Sequence, residues 1–393
     1  MNREKIKFFA ESLAEICARS LVAQGRPLRW LVITNPVAGC FVMRSRWKKS
    51  RQALEECWAA AQANPLRENC VPAGTAAGSA FAPGVVCTDG PGSTAEIVRV
   101  LIDEIGQSLH SDQLSASASS SASAAPFYLL IIAGGDGTSL EALSVLYHAP
   151  ESVRSHIAVL RLPMGTGNDG ADSPELARAF ELLIKPSRIE YTPALRLLPA
   201  PGGPAANKAA ELKSPYLAFN ILSVGLDAFV THMTNKMKGN LPGDFYKLWV
   251  DIASLLYDRL YTVDFLDVRA LDGQGREVRS FREKILLLAV GASGHRTYGS
   301  QKKILPDDRN ICAVKQMSLL RKLALKGLFT TGEHIDKPES MLFNAHRVEF
   351  SGSHPILAQM DGETVLLQPE DFPAVIELTE PVVPVLKFGP SGT

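Results

Sequence analysis

The stretch Phe127-Tyr128-Leu129-Leu130-Ile131-Ile132, running into Gly134-Gly135-Asp136-Gly137-Thr138, decides the fold of this chain. Its unbroken apolar run reads as a fully buried strand of a parallel sheet. A second run, Ile157-Ala158-Val159-Leu160-Arg161-Leu162, reads the same way. It ends in another glycine-rich turn, Pro163-Met164-Gly165-Thr166-Gly167-Asn168-Asp169. Glycine-rich turns at strand ends leave backbone N–H groups free to face an anion, and open α/β sheets bind ligands at those ends. The pattern therefore points to phosphate chemistry. Neither loop is a G-x-x-x-x-G-K-[ST] phosphate loop, and no G-x-G-x-x-G opens a helix.

Outward from this centre, strand-like and helix-like segments alternate from Arg29 to about Leu162. They include Trp30-Leu31-Val32-Ile33-Thr34 and Val85-Val86-Cys87, the latter ending at Thr88 before a helix opening near Thr94-Ala95-Glu96. This is the βαβ rhythm of a parallel sheet covered by helices. Two stretches break it: Asn64 to Gly84, rich in Ala, Gly and Pro, and Ser115 to Ala125, almost pure Ser and Ala. Both read as loops or disordered insertions.

Beyond Thr166 the pattern changes. One helix is expected at Pro174 to Ile184, with Ser173 as N-cap and Pro174 in the first turn. Short strand-like runs follow at 189–191, 216–222, 262–270, 284–290, 310–314, 347–351, 358–360, 364–367 and 375–378. A polar insertion is expected at Pro199 to Ser214 and a helix at Phe245 to Tyr257. Many short strands with few helices predict a β-sandwich-like second domain. The expected division is 1–165 for an α/β nucleotide-binding domain and 166–380 for a β-rich domain taking the substrate, with 381–393 as a C-terminal segment.

Lys and Arg total 41 and Asp and Glu total 41, so no global field steers the chain to nucleic acid. Two local basic clusters, Arg44-Arg46-Lys48-Lys49-Arg51 and Arg321-Lys322-Lys326, read as solvated helix faces or as contacts to an anionic membrane. The six cysteines have no C-x-x-C spacing, which disfavours zinc and suits reduced thiols in a cytoplasmic protein. No apolar stretch has the length of a membrane span. Phe8, Leu13, Ile16, Cys17 and Leu21 recur at helical spacing. They predict an N-terminal amphipathic helix that packs on the first domain, with membrane docking as the alternative.

With these residues in hand, the chain resembles the diacylglycerol kinase catalytic domain family, which includes bacterial lipid kinases and sphingosine and ceramide kinases. The same fold occurs in NAD kinases. The resemblance is carried by GGDGT with Glu141 behind it and by P-x-G-T-G-N-D. It is extended by Asn35-Pro36-Val37-Ala38-Gly39, Ser223-Val224-Gly225-Leu226-Asp227-Ala228 and Asp361-Gly362-Glu363. The combination of GTGND and DGE favours lipid kinases over NAD kinases.

The resemblance implies transfer of the ATP γ-phosphate to a lipid hydroxyl with Mg²⁺. Diacylglycerol is the default acceptor, and a sphingoid base or ceramide the second. It implies nucleotide contacts at Asn35, Gly39, Thr88, Gly134, Gly135, Gly137, Thr138, Glu141, Gly165, Thr166, Gly167, Asn168 and Asp169. Asp361 or Asp136 is the implied base, and Asp136, Glu190 and Glu363 the implied metal ligands, Mg²⁺ being a hard cation that prefers oxygen. Read without the resemblance, Asp361-Gly362 is a hairpin turn signal.

It also implies that 381–393 returns to the first domain and that the protein touches a membrane surface peripherally, and it leaves a homodimer open. The departures are Leu140 for a usual Asn, Gly170-Ala171-Asp172 after GTGND, and Glu190 for a usual Asp. The acidic loop Pro306-Asp307-Asp308-Arg309-Asn310 matches the family's metal loop only in part.

Overall fold

The two apolar runs form the centre of a parallel sheet. In this computed structural model, which describes residues 2–23, 25–74, 81–116, 125–165, 168–173, 175–211, 215–237, 257–298 and 302–389, the strands of the first unit are β1 (Leu28–Thr34), β2 (Cys70–Pro72), β3 (Val85–Cys87), β4 (Phe127–Gly134), β5 (Ile157–Pro163) and β6 (Ser187–Thr192). All eight residues of β4 and all seven of β5 are buried, as strands covered on both faces require. Among the described residues the sheet order is β2-β1-β4-β5, then the last strand of the chain, Val383–Phe388, then β6, with β3 also beside β1. β1, β4 and β5 run parallel. The last strand runs parallel to β5 and antiparallel to β6.

Helices cover this sheet because their apolar stripes need a surface to bury against. In the N-terminal helix Asn2–Ala18, Ile6, Phe9, Ala10, Leu13, Ile16 and Cys17 are all buried, in one cluster with Phe41 and Leu54. The packing expectation for this helix therefore holds. Its apolar face is core, so the membrane-docking alternative fails there.

The first unit comprises 1–192 and 381–393, and the second 193–380. The expected boundary after 165 falls earlier, because the helix Leu176–Ile184 and strand β6 complete the first sheet. That helix starts two residues later than expected, with Glu175 as its N-cap. Ser173 instead accepts a bond from the Glu175 amide at 3.3 Å, and Pro174 lies outside the described residues. The supposed insertion 64–84 contains β2, paired in parallel with β1 from Leu28↔Cys70. Residues 75–80 and most of the Ser/Ala segment, 117–124, lie outside the described residues.

The second unit is a meander of antiparallel strands: β7 (Leu195–Leu198), β8 (Tyr216–Ala218), β9 (Ile221–Gly225), β10 (Phe265–Leu271), β11 (Glu277–Gly291), β12 (Arg296–Tyr298), β13 (Lys302–Leu305), β14 (Ile311–Lys315), β15 (Ser340–Phe343), β16 (Arg347–Ser351), β17 (Ile356–Met360), β18 (Glu363–Leu367) and β19 (Ala374–Leu378), which makes Val383–Phe388 β20. β11 is long enough to serve two layers. Its first half pairs with β10, and its buried second half pairs with β9 and β14. Leu222, Val224, Leu288, Ala358 and Ile376 share one core there.

Three helices belong to this unit. Leu226–Met237 leads on from β9, and Leu319–Thr331 lies beyond β14. Pro204–Glu211 forms inside the segment expected to be a polar insertion. The helix expected at Phe245 to Tyr257 falls almost wholly outside the described residues.

Candidate functional site

Parallel register sends the motif loops of the first unit out of one sheet edge. Thr34 lies opposite Ala133 and Cys87, and Gly134 lies opposite Pro163. The loops that begin at Asn35, Thr88, Gly135 and Met164 thus leave the carboxyl ends of adjacent strands, where open α/β sheets take ligands. Side chains and amides tie them together. Asn35 Nδ2 donates to Thr138 Oγ1 at 3.1 Å, and Asn35 Oδ1 accepts from the Val37 amide. The Cys40 amide, next to Gly39, donates to the Met164 carbonyl at 2.9 Å. The Thr88 amide donates to the Thr34 carbonyl at 3.0 Å. Glu141 Oε1 accepts from the Gly92 amide at 3.0 Å, bracing the turn after Thr88.

The two glycine loops approach each other at their backbones. A methyl group on Gly135 would sit 3.4 Å from Gly165 Cα, and one on Gly134 would strike the Thr138 side chain at 2.6 Å. Gly135 is the N-cap of the helix Asp136–Tyr147, so the unpaired amides of its first turn open toward the loop edge. Gly137 is exposed there and Thr138 is buried. Asp136 Oδ1 accepts from the Gly170 amide at 3.1 Å, and Asn168 Oδ1 accepts from the Gly165 amide at 2.7 Å. Asp169 is half-buried in the same turn. Thr166 and Gly167 lie outside the described residues. Burial pushes the Cys40 thiol pKa up, so it stays protonated at 3.7 Å from the Pro163 carbonyl.

Two residues of this edge escaped the sequence reading. Arg161 sits in the middle of β5, and Asp172 binds it with both oxygens: Oδ1 meets Nη2 at 2.7 Å, and Oδ2 accepts the Arg161 amide at 2.7 Å. Both side chains are almost completely buried. The pair pins the far end of the second loop to its own strand, which explains Asp172 after GTGND. A lone arginine inside an apolar strand was the available signal. The second residue is Arg46, whose Nη1 donates to the Gly165 carbonyl at 2.7 Å.

Glu190 lies apart from the glycine loops. It is on β6 opposite Val385, which pairs with Val159, four residues (about 13 Å) before the end of β5. Its carboxylate pairs with Arg188 at 2.9 Å. Asp136 and Glu190 are therefore not brought together.

In the second unit, Asp361 and Gly362 form the two-residue turn between β17 and β18, with φ of +46° and +103°. Left-handed backbone at both positions is what an Asp-Gly hairpin turn supplies. The Asp361 carboxylate accepts the amides of Phe219, Asn220 and Ile221, the last at 2.9 Å. Gly362 is held on both sides: its amide donates to Gln359 Oε1 at 3.0 Å, and its carbonyl accepts from Asn235 Nδ2 at 2.7 Å. Gln359 Nε2 also reaches the buried Asp227, whose Oδ2 accepts from Ser223 Oγ at 2.6 Å. The S-x-G-x-D-A segment thus underpins the DGE turn. Glu363 opens β18 with its side chain exposed.

The acidic loop is neutralised by the protein itself. Both Asp307 oxygens accept from Arg309, which holds that carboxyl below the usual carboxylate range. Asp308 Oδ1 meets His295 Nε2 at 2.9 Å. Among the described residues, no group of three His, Cys, Asp or Glu side chains is placed to hold a metal ion. No described helix is long and apolar enough to cross a membrane.

Residues 104–188, which include both glycine loops, match the family described as diacylglycerol kinase catalytic domain. No curated protein matches the chain. Among solved structures, a candidate diacylglycerol kinase of Bacillus anthracis strain Sterne is 14% identical, with a TM-score of 0.52 over 91% of this chain and 96% of that one. Another structure described in the same words and from the same strain is 13% identical, with a TM-score of 0.50 over 92% and 97% of the two chains. At such identities the likeness is one of fold. The resemblance carried by the glycine loops is thus shown: residues 104–188 match the diacylglycerol kinase catalytic domain, and the chain has the fold of those two solved structures.

Proposed function

We propose that this chain is an ATP-dependent lipid kinase that transfers the γ-phosphate to a lipid hydroxyl, with diacylglycerol as acceptor and phosphatidic acid as product. The family match supports a kinase of this general kind. The observation that carries the finer reading is the joined pair of glycine loops at one sheet edge, closed by the bond from the Gly170 amide to Asp136. In that arrangement the amides of Gly135, Gly137 and Gly165 face the nucleotide phosphates, and Asn35 and Thr138 fix the first loop against the second.

Phosphoryl transfer passes through a loose transition state, so positioning and charge compensation dominate over deprotonation. A bound Mg²⁺ would offset charge on the phosphate oxygens. It characteristically takes one or two protein carboxylates plus phosphate and water oxygens, which Asp136 and Asp169 suit without a dedicated cage. Asp361 and Asp136 are the two carboxylates assigned to accept the hydroxyl proton. The acceptor lipid lies in a bilayer, so the protein docks on the membrane peripherally.

Turnover with ATP and a panel of diacylglycerol, sphingosine, ceramide and NAD tests the proposal. Phosphorylation of diacylglycerol upholds it, phosphorylation of sphingosine or ceramide moves the acceptor, and phosphorylation of NAD alone or of nothing overturns it.

A further inference from the structure

Arg46 belongs by sequence to a basic cluster on the helix Arg44–Ala61, yet its guanidinium leaves that cluster for the glycine loops. Arg44, Lys48 and Lys49 are exposed, and Arg51 pairs with Glu55 on the same helix at 2.8 Å. Arg46 Nη1 instead holds the Gly165 carbonyl. The helix is brought there by the segment before it, where the Cys40 amide is bonded to the Met164 carbonyl.

This edge is short of positive charge for a polyphosphate. The two loops contribute Asp136 and Asp169 and contain no lysine or arginine. Nearby cations have other duties: Arg161 is locked by Asp172, and the buried Lys5 donates to the Phe41 carbonyl. Backbone amides supply only partial charges. A guanidinium carries five N–H donors in a fork that matches phosphate oxygens, so contact with one carbonyl is compatible with contact to phosphate.

We propose that Arg46 is a nucleotide-binding residue, setting its positive charge against the phosphate held by the second glycine loop. The inference rests on the reading of these loops as a nucleotide site and adds to it a charged side chain from a different segment of the chain.

The test is calorimetric titration of the full-length protein with ATP and Mg²⁺, and separately with millimolar adenosine. The variants are Arg46→Gln, Arg46→Lys and the control Arg51→Gln. The expected result for Arg46→Gln is a roughly 10- to 100-fold loss of ATP affinity, the range of a hydrogen bond to a charged group. Adenosine affinity and melting temperature should be unchanged. Arg46→Lys should fall between, and Arg51→Gln should match the wild type. Unchanged ATP affinity in Arg46→Gln overturns the proposal. Equal loss for ATP and adenosine also overturns it, since that marks a merely structural role. A wild-type protein that binds neither ligand overturns the nucleotide reading itself and this inference with it.

Discussion

Asp136 Oδ1 accepts a hydrogen bond from the Gly170 amide at 3.1 Å, so the carboxylate of the first glycine loop holds the turn that follows the second. Parallel pairing of β4 with β5 makes this reach possible, because it brings both loops out of the sheet at one level. Together with the bond between Asn35 and Thr138, it turns three separate sequence motifs into one surface of converging amides.

Asp361→Asn is expected to lower turnover by about two to four orders of magnitude, the range of a lost general base. The same change weakens the three amide bonds to Phe219, Asn220 and Ile221, so it should also cost about 1–3 kcal/mol of stability. Asn tolerates the left-handed backbone at this position, so the turn itself survives. Turnover per folded molecule, corrected by urea denaturation, separates the two effects. Near-normal turnover in Asp361→Asn with loss in Asp136→Asn would assign the base to Asp136.

Asp172→Ala should be among the most damaging single changes in the first unit. It strips the partner from an arginine whose side chain is only 6% exposed. Breaking a buried pair on one side typically costs about 3–5 kcal/mol. A urea midpoint within about 0.5 kcal/mol of wild type would show that Arg161 finds water or another partner.

Much of the first sheet was legible because its central strands are continuous apolar runs, and burial on both faces demands that pattern. The unit boundary was not. β6 joins the first sheet only through β20, nearly two hundred residues later, and no local signal reports that pairing. The helix Pro204–Glu211 was hidden for a similar reason: its first turn is satisfied by Asp371, which accepts the Ala205 amide from far along the chain. In Leu319–Thr331 the exposed Leu319, Leu320 and Leu323 stand beside the buried Leu325, which blurs the helical period. The motif residues of the glycine loops could be named from sequence. The partner of Arg46 could not, because a helix-face arginine gives no sign of which carbonyl it meets.

Stability should fall with acid partly through His334. Burial lowers its pKa, and its Nε2–H donates to the Ile304 carbonyl at 3.1 Å. The folded state therefore favours the neutral ring, while the unfolded chain takes up a proton near the ordinary histidine value of about 6.5. The stabilising difference is present above that pH and is lost as pH drops through the folded-state value. His334→Gln should flatten this part of the stability–pH curve. An unaltered slope between about pH 7 and 5 would refute the assignment.

Removing divalent metal should leave the melting temperature of the nucleotide-free protein unchanged. Asp307 is already bound by Arg309 and Asp308 by His295, so the acidic loop does not depend on a cation. Arg309→Gln should make the same loop less stable, since Asp307 loses its partner. A clear drop in melting temperature on adding EDTA to wild type would contradict this.

Phosphate transfer from ATP to diacylglycerol in mixed vesicles, followed by chromatographic detection of phosphatidic acid, tests the central claim most directly. The account predicts Mg²⁺-dependent product with wild type, at least about a hundredfold less with Asp361→Asn, and none with NAD as acceptor. Phosphorylated NAD with no lipid product, or no turnover of any acceptor by a folded protein, would contradict it.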